Sequence, residues 1–321
     1  MSKRSVFAAA CIAAFCTAAA AQEFPSHPVR IVVPWPPSGN VDITARTIAP
    51  ALGEALGQQV LVENRGGAAG TIGSALVAKS AADGYTLLLG SSGTITSGPA
   101  VFKNLPYDPM KDLVPIGPIQ WAAIVLTAAP KAPIANYREF AALAQAKPGQ
   151  LSIASAGSGS SNHLAIELLM HQSGLKLLHI PYKGSGPAIT DLLGSQVQTM
   201  MDQLSASIEH IRSGRIKALA ISSTQRLAAL PEVPTLDELG VKGYEAGTFT
   251  GIFAPAGVPA AVAERLHAAM RKALASPAVR ERYRSMGVEV MDMSQAEFAA
   301  YVRTDFEKWR RVARDANIVI E

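Results

Sequence analysis

Short β-branched or aliphatic runs alternate with helix-period segments along almost the whole of this 321-residue chain, and that alternation restricts its fold more than any other feature. Repeated strand-then-helix units predict an α/β fold in layers, with mainly parallel strands. Strands are expected near Val29 to Val33, Val60 to Glu63, Thr86 to Leu89, Ile124 to Leu126, Leu151 to Ala154, Lys176 to Ile180, Thr199 to Met201, Lys217 to Ile221 and Thr250 to Ala254. Helices are expected between them, among them Asp42 to Leu56, His163 to Gln172, Ala188 to Leu193, Val262 to Ala275 and Gln295 to Ala316. Gly57, Gly174 and Gly194 follow three of these helices at the position of a left-handed C-terminal cap. Apolar residues make up 49% of the chain and charged ones 17%, which supplies cores for two domains and excludes a disordered or coiled-coil chain.

The spacing of the units divides the chain in two. One βα series runs from Val29 to about Gly117, and a second begins after "APKAPIANYREF" and ends near Gly243. The helical stretch from Pro259 onward is most economically packed back on the first half. Residues 22–121 with 250–321 then form one lobe and residues 122–249 the other, with a cleft between them. The crossings, near Gly117 to Leu126 and Glu245 to Ala254, would act as the hinge.

The first residues, "MSKRSVFAAACIAAFCTAAAAQEFPSHP", carry Lys3 and Arg4, an apolar run of about 12 residues, and small residues ending in Ala19-Ala20-Ala21. This is the pattern of a secretory leader cut after Ala21, and the run is shorter than the roughly 20 residues of a membrane-spanning helix. Export with removal of the leader is therefore expected. Both cysteines, Cys11 and Cys16, lie inside the leader, so the mature chain would have no disulfide, cysteine nucleophile or thiolate metal site. The net charge of +4 falls to +2 without Lys3 and Arg4, leaving 27 basic residues against 25 acidic, and nothing points to nucleic acid.

The segment "PWPPSGNVD" joins the first strand to the first helix. Its prolines cannot donate backbone hydrogen bonds, whereas Ser38, Gly39 and Asn40 leave free N–H groups just before the helix, an arrangement suited to an anion. A plain capped turn has the same composition. The second half repeats the arrangement in "LSIASAGSGSSNHLAIE", where a strand runs into Gly157, Ser158, Gly159, Ser160 and Ser161 before a helix near Asn162. That loop alone fits a phosphate-binding loop or a flexible linker, but two such turns facing one another would grip an anion with both helix dipoles. Asp42 either braces the first loop or meets a ligand amine; His163 either packs on the second loop or donates to the ligand.

Other chemistries find little support. His163, Glu167 and His171 share a helix face, yet no well-spaced further ligand accompanies them, so a metal is not expected. No nucleophile elbow is present, "YKGSGP" lacks a Walker lysine in register, and "GSGSSN" does not complete a dinucleotide fingerprint. No cofactor and no catalysis are expected.

Several blocks, in order, resemble the substrate-binding proteins of tripartite tricarboxylate transporters, the Bug family. They include "HPVRIVVPWPPSGNVDITAR", "VLVENRGGAAGTIGSALVAKSAADGYTLLLGSSGT", "LPYDPMKDL", "SIASAGSGSSNHLAIELL", "HIPYKGSGPAITDLLGSQVQTMMD", "ALAISSTQRLAALPEVPTLDELG" and "FAPAGVP", and cover essentially the whole mature chain. The resemblance implies a two-lobed periplasmic binding protein fold (type II-like) that closes on a small carboxylate-bearing solute. Di- or tricarboxylates, acidic amino acids and aromatic acids all qualify. It implies delivery by a monomeric receptor to a symporter of one large and one small membrane subunit; a sensor subunit serving a membrane kinase is the alternative. It places the ligand carboxylate between the loops Pro36 to Asp42 and Ser155 to His163, with Ser92, Thr94 and Asp202 as cleft neighbours. The chain departs from the family pattern at Ser38, where a glycine is usual, and at Trp35, where phenylalanine is common. Trp35 either packs at the strand end or stacks on an aromatic ligand.

Overall fold

In β1 (Val29–Val33), Ile31, Val32 and Val33 are all fully buried, as in a strand covered on both faces. Helix α1 (Asn40–Leu56) follows, burying Val41, Ala45, Ile48, Leu52 and Leu56 at helical spacing and leaving Pro50 on its exposed side. Gly57 ends it in the left-handed conformation, φ 74°, with its N–H turned back to the carbonyls of Gly53 and Glu54. Strand β2 (Val60–Asn64), helix α2 (Thr71–Ala78), β3 (Thr86–Ser91) and the one-turn α3 (Ser92–Ile95) complete the first series. The structure, a computed structural model, describes residues 24–315 and 317–320; the leader over residues 1–21, with both cysteines, lies outside them.

β4 (Leu113–Ala128) is the long strand of the molecule and belongs to two sheets. The second series is α4 (Tyr137–Ala146), β5 (Ser152–Ser155), α5 (Ser161–Ser173), β6 (Leu178–Pro181), α6 (Ser185–Leu193), β7 (Thr199–Gln203), α7 (Leu204–Arg212) and β8 (Lys217–Ile221). The chain returns through β9 (Gly247–Pro255) to α8 (Ala260–Leu274), α9 (Pro277–Ser285), β10 (Val288–Val290) and α10 (Gln295–Asp315). Strand order is β2-β1-β3-β9-β4 and onward β7-β5-β6, with β8 and β10 also on β4. Ala123 is the last β4 residue paired with β9, and Ile124 the first paired with β7.

Three expectations need correction. Parallel pairing is found between β1 and β2, β1 and β3, β5 and β6, and β5 and β7, but every pairing made by β4 and β9 is antiparallel. These two strands are not part of strand–helix–strand crossovers, the units that impose parallel direction. The strand expected over Ile124 to Leu126 runs sixteen residues, because Pro115, Gly117 and Pro118 do not end it. They sit where the register with β9 slips, and a slipped register tolerates proline. Gly194 is right-handed, φ −74°, and the positive φ falls one residue later, on Ser195.

One core lies under β1, β3 and the first part of β4, where α1, α8 and α9 bury Ile48, Leu266, Met270 and Tyr283. Another lies around β5, β7 and α5, with Ile153, Leu164, Leu169 and Met200. The helix α10 serves two cores: Phe298 and Val302 pack with Phe249 and Phe253, whereas Trp309 and Ala313 pack in the core of β5 and α5. This differs from a C-terminal segment packed on the first half alone. Among the described residues no helix is long and apolar enough to cross a membrane.

Candidate ligand-binding site

Between the two sheets lies a narrow cavity with about 380 Å³ of non-atom space, its open mouth included. It opens where strands of both sheets end and their helices begin, the usual position of ligand sites in open α/β sheets. Gly39 precedes α1, Ser160 precedes α5 and Gly184 precedes α6, and all three line the cavity together with the first residue of each helix. Three helix N-termini therefore converge on one space. Gly39 and Gly184 have no side chain with which to cap the first-turn N–H groups, so those donors are left to the cavity. No lining residue is charged: the walls are Trp35, small residues, hydroxyls and the amides of Asn40, Asn162 and Gln203.

The polar wall is held by its own hydrogen bonds. Gln203 Nε2 donates to Thr248 Oγ1 (2.8 Å) and Asn162 Oδ1 (3.0 Å), and the Ser161 and Thr248 hydroxyls are 2.7 Å apart. Across the cleft, Asn40 Oδ1 accepts from Ser205 Oγ (2.7 Å) and Gln120 Nε2 (3.1 Å), which orients its amide and leaves Nδ2 buried without a partner. A buried donor of this kind costs free energy until an acceptor arrives. Trp35 is fixed through its Nε1–H to Ser91 Oγ, 3.3 Å.

Of the residues singled out from the sequence, Trp35, Gly39, Asn40 and Ser160 line the cavity. Ser38 and Asp42 face an outer groove instead. Ser38 adopts φ 71° and donates its N–H to Asp42, whose carboxylate also takes Arg46 Nε and Asn64 Nδ2. Those bonds outweigh burial and hold the Asp42 carboxyl below its ordinary value, so Asp42 braces the loop. Ser92 and Thr94 are buried beside the cavity: Ser92 Oγ accepts from Phe249 N–H and Thr94 Oγ1 from Ser91 N–H. Ser158 is exposed, and Gly159 lies beneath the Phe102 ring. Asp202 sits one layer behind the wall.

His163 accepts the Gly159 N–H at Nδ1 (3.2 Å), lies 3.3 Å from Glu167, and stacks on His179 with ring centroids 4.1 Å apart. His171 does not join them, and no cluster able to hold a metal is present among the described residues. His179 is pushed down to about 4, by burial and then by the neighbouring His163. The fold thus keeps His179 neutral, whereas the unfolded chain takes up a proton near the ordinary value of about 6.5. Its contribution is present above pH 6.5 and is lost as pH falls toward 4. Melting temperature recorded across that window should fall less steeply in His179→Gln than in the parent; identical acid limbs would contradict this role.

Asn162 lines the cavity from within the second expected loop, and the lining residues that the sequence reading missed include Ser91, Ser185, Gln203 and Thr248. Gly184-Ser185 had a legible signal, since "KGSGP" before a helix repeats the composition of the other two turns. Gln203 and Thr248 had none, because strand pairing alone brings them to the wall.

Two α/β sheets joined through shared strands, with a cavity at the strand ends between them, define the periplasmic binding protein fold. The chain belongs to the tripartite tricarboxylate transporter receptor family, whose profile matches residues 44–318. This is a family of binding proteins, not of enzymes. The chain is 38% identical to protein BugT of Bordetella pertussis over 296 residues, 92% of this chain and 91% of that one. Among solved structures it is similar to the periplasmic binding protein BugD, with a TM-score of 0.89, 37% identity, and coverage of 93% of this chain and 100% of that one. It is also similar to Rpa4515 of R. palustris with adipate (TM-score 0.89, 31% identity, 92% and 99% covered) and to MatC of Rhodopseudomonas palustris with malate (0.86, 33%, 90% and 99%).

Proposed function

We propose that this receptor captures a small carboxylate-bearing solute in the cavity and delivers it to a tripartite tricarboxylate-type membrane symporter. The observation that carries this reading is the convergence of three helix N-termini, two of them without a side-chain cap, on a space without a charged side chain. Such donors favour an anion and give a carboxylate its hydrogen bonds without a salt bridge. Each helix end supplies roughly 0.3–1 kcal/mol, and up to about 2 kcal/mol where partly buried. Together with several charge-assisted hydrogen bonds this reaches the roughly −8 kcal/mol of micromolar binding. The relatives with adipate and malate agree with a carboxylate ligand.

In this reading the leader is removed after Ala21 and the mature chain works in the periplasm. The lobes, 22–121 with 250–321 and 122–249, part at β4 and β9 to admit the solute and close over it, with α10 bridging them. Thermal denaturation of the mature protein with malate, adipate, citrate, glutamate and benzoate tests it. At a concentration about 100-fold above Kd a true ligand adds about 2.7 kcal/mol, visible as a rise of several degrees. Stabilisation by uncharged sugars or cations alone would reject the carboxylate reading.

A further inference from the structure

Asp202 is fully buried at the end of β7, directly behind the cavity wall. Its Oδ1 accepts from two side chains that line the cavity, Ser185 Oγ at 2.8 Å and Asn162 Nδ2 at 2.7 Å, while its Oδ2 is buried with no partner. The cavity itself holds no cationic side chain that would offset a second negative charge. An ionised Asp202 thus repels an anion in the cavity through one layer of atoms, and keeps the Ser185 hydroxyl pointed away from it. The geometry points to Asp202 as a positioning residue that takes up one proton when a carboxylate is captured, so that the site binds an anion and a proton together. This inference rests on the carboxylate reading above.

The hydrogen bonds show how the proton is used. Protonated at Oδ1, Asp202 donates to Ser185 Oγ and still accepts from Asn162 Nδ2. The bond to Ser185 reverses, and the Ser185 O–H becomes free to donate into the cavity. One proton therefore removes the repulsion and adds a donor to the wall. Burial first, opposed by the Ser185, Asn162 and Gln203 hydrogen bonds, pushes Asp202 up to about 6, close to working pH.

The titratable groups on the elements packed against β7 are occupied elsewhere. On α5, His163 and Glu167 face each other and His171 is exposed in the last turn; on α6, Asp191 accepts from Tyr182. On α7, Glu209 pairs with Arg212, and His210, lowered by burial and by Arg215, lies toward the other end of the helix. Neither β4 nor β5 carries a charged residue.

Calorimetric titration of the full mature chain with malate and with adipate, at pH 6, 7 and 8 in phosphate and in Tris, reads the proton directly. Affinity is expected to fall about fiftyfold from pH 6 to pH 8, with uptake approaching one proton per ligand at pH 8. In Asp202→Asn both the uptake and the pH dependence should disappear. Binding that is independent of pH and releases or takes up no proton in the parent chain overturns the inference, and needs no variant to do so. Uptake that persists in Asp202→Asn overturns it too, by placing the proton on a group other than Asp202. If neither acid binds at any of the three pH values, while the wider panel also fails, the carboxylate reading falls and this inference with it.

Discussion

Gly184→Ala is expected to weaken carboxylate binding at least tenfold and to destabilise the fold by about 2 kcal/mol. Gly184 has φ 119° and ψ 170°, a region that residues with a Cβ occupy only under strain of roughly 1–3 kcal/mol. A methyl group there would also lie 3.0 Å from Pro36 Cγ and 3.2 Å from Pro36 Cδ on the facing loop. The two jaws of the cavity touch at this point, so an added side chain either distorts the start of α6 or holds the loops apart. Gly214→Ala is the control, because Gly214 also has a positive φ, 69°, but has no atom within 4 Å of the added methyl. It should lose about 1 kcal/mol of stability and bind normally. Calorimetric titration with chemical denaturation separates the two effects, and full affinity in Gly184→Ala would show that the jaws do not need this close approach.

Trp309→Ala is expected to cost roughly 3–5 kcal/mol, a large share of the stability of a domain worth about 5–15 kcal/mol. Trp309 is 1% exposed and fills the core around α5 and β5 from a helix whose first turns belong to another core. The change therefore leaves a cavity in one core and loosens the element that ties it to the next. A change below about 1.5 kcal/mol in urea denaturation would mean that the far end of α10 contributes little to either.

The elements that were legible were those with a local cause. β1, with its run of β-branched residues, and α1, with an apolar stripe ending in Gly57, stand within two residues of their expected bounds. β4 was not legible in full, because Pro115, Gly117 and Pro118 are local signals for a break, and only pairing with β9 carries the strand through them. The site divides in the same way. Gly39, Asn40 and Ser160 were found because a turn before a helix has a composition that can be read, and Trp35 because it departs from the family pattern. Ser38 and Asp42 belong to the same turn but face the outer groove, since a positive φ at Ser38 and the Asp42 bonds to Arg46 and Asn64 turn them outward.

By itself the sequence determined the alternation of strands and helices, the two donor-rich turns before helices and the kinship, because each depends on residues close together in the chain or on their order. Tertiary structure alone decided that Gln203 and Thr248 close the wall, that α10 spans two cores, and that Asp202 stands behind the cavity with one oxygen unpaired. These depend on which strand lies beside which, and the free energy of strand pairing and core burial is summed over contacts between residues far apart in sequence.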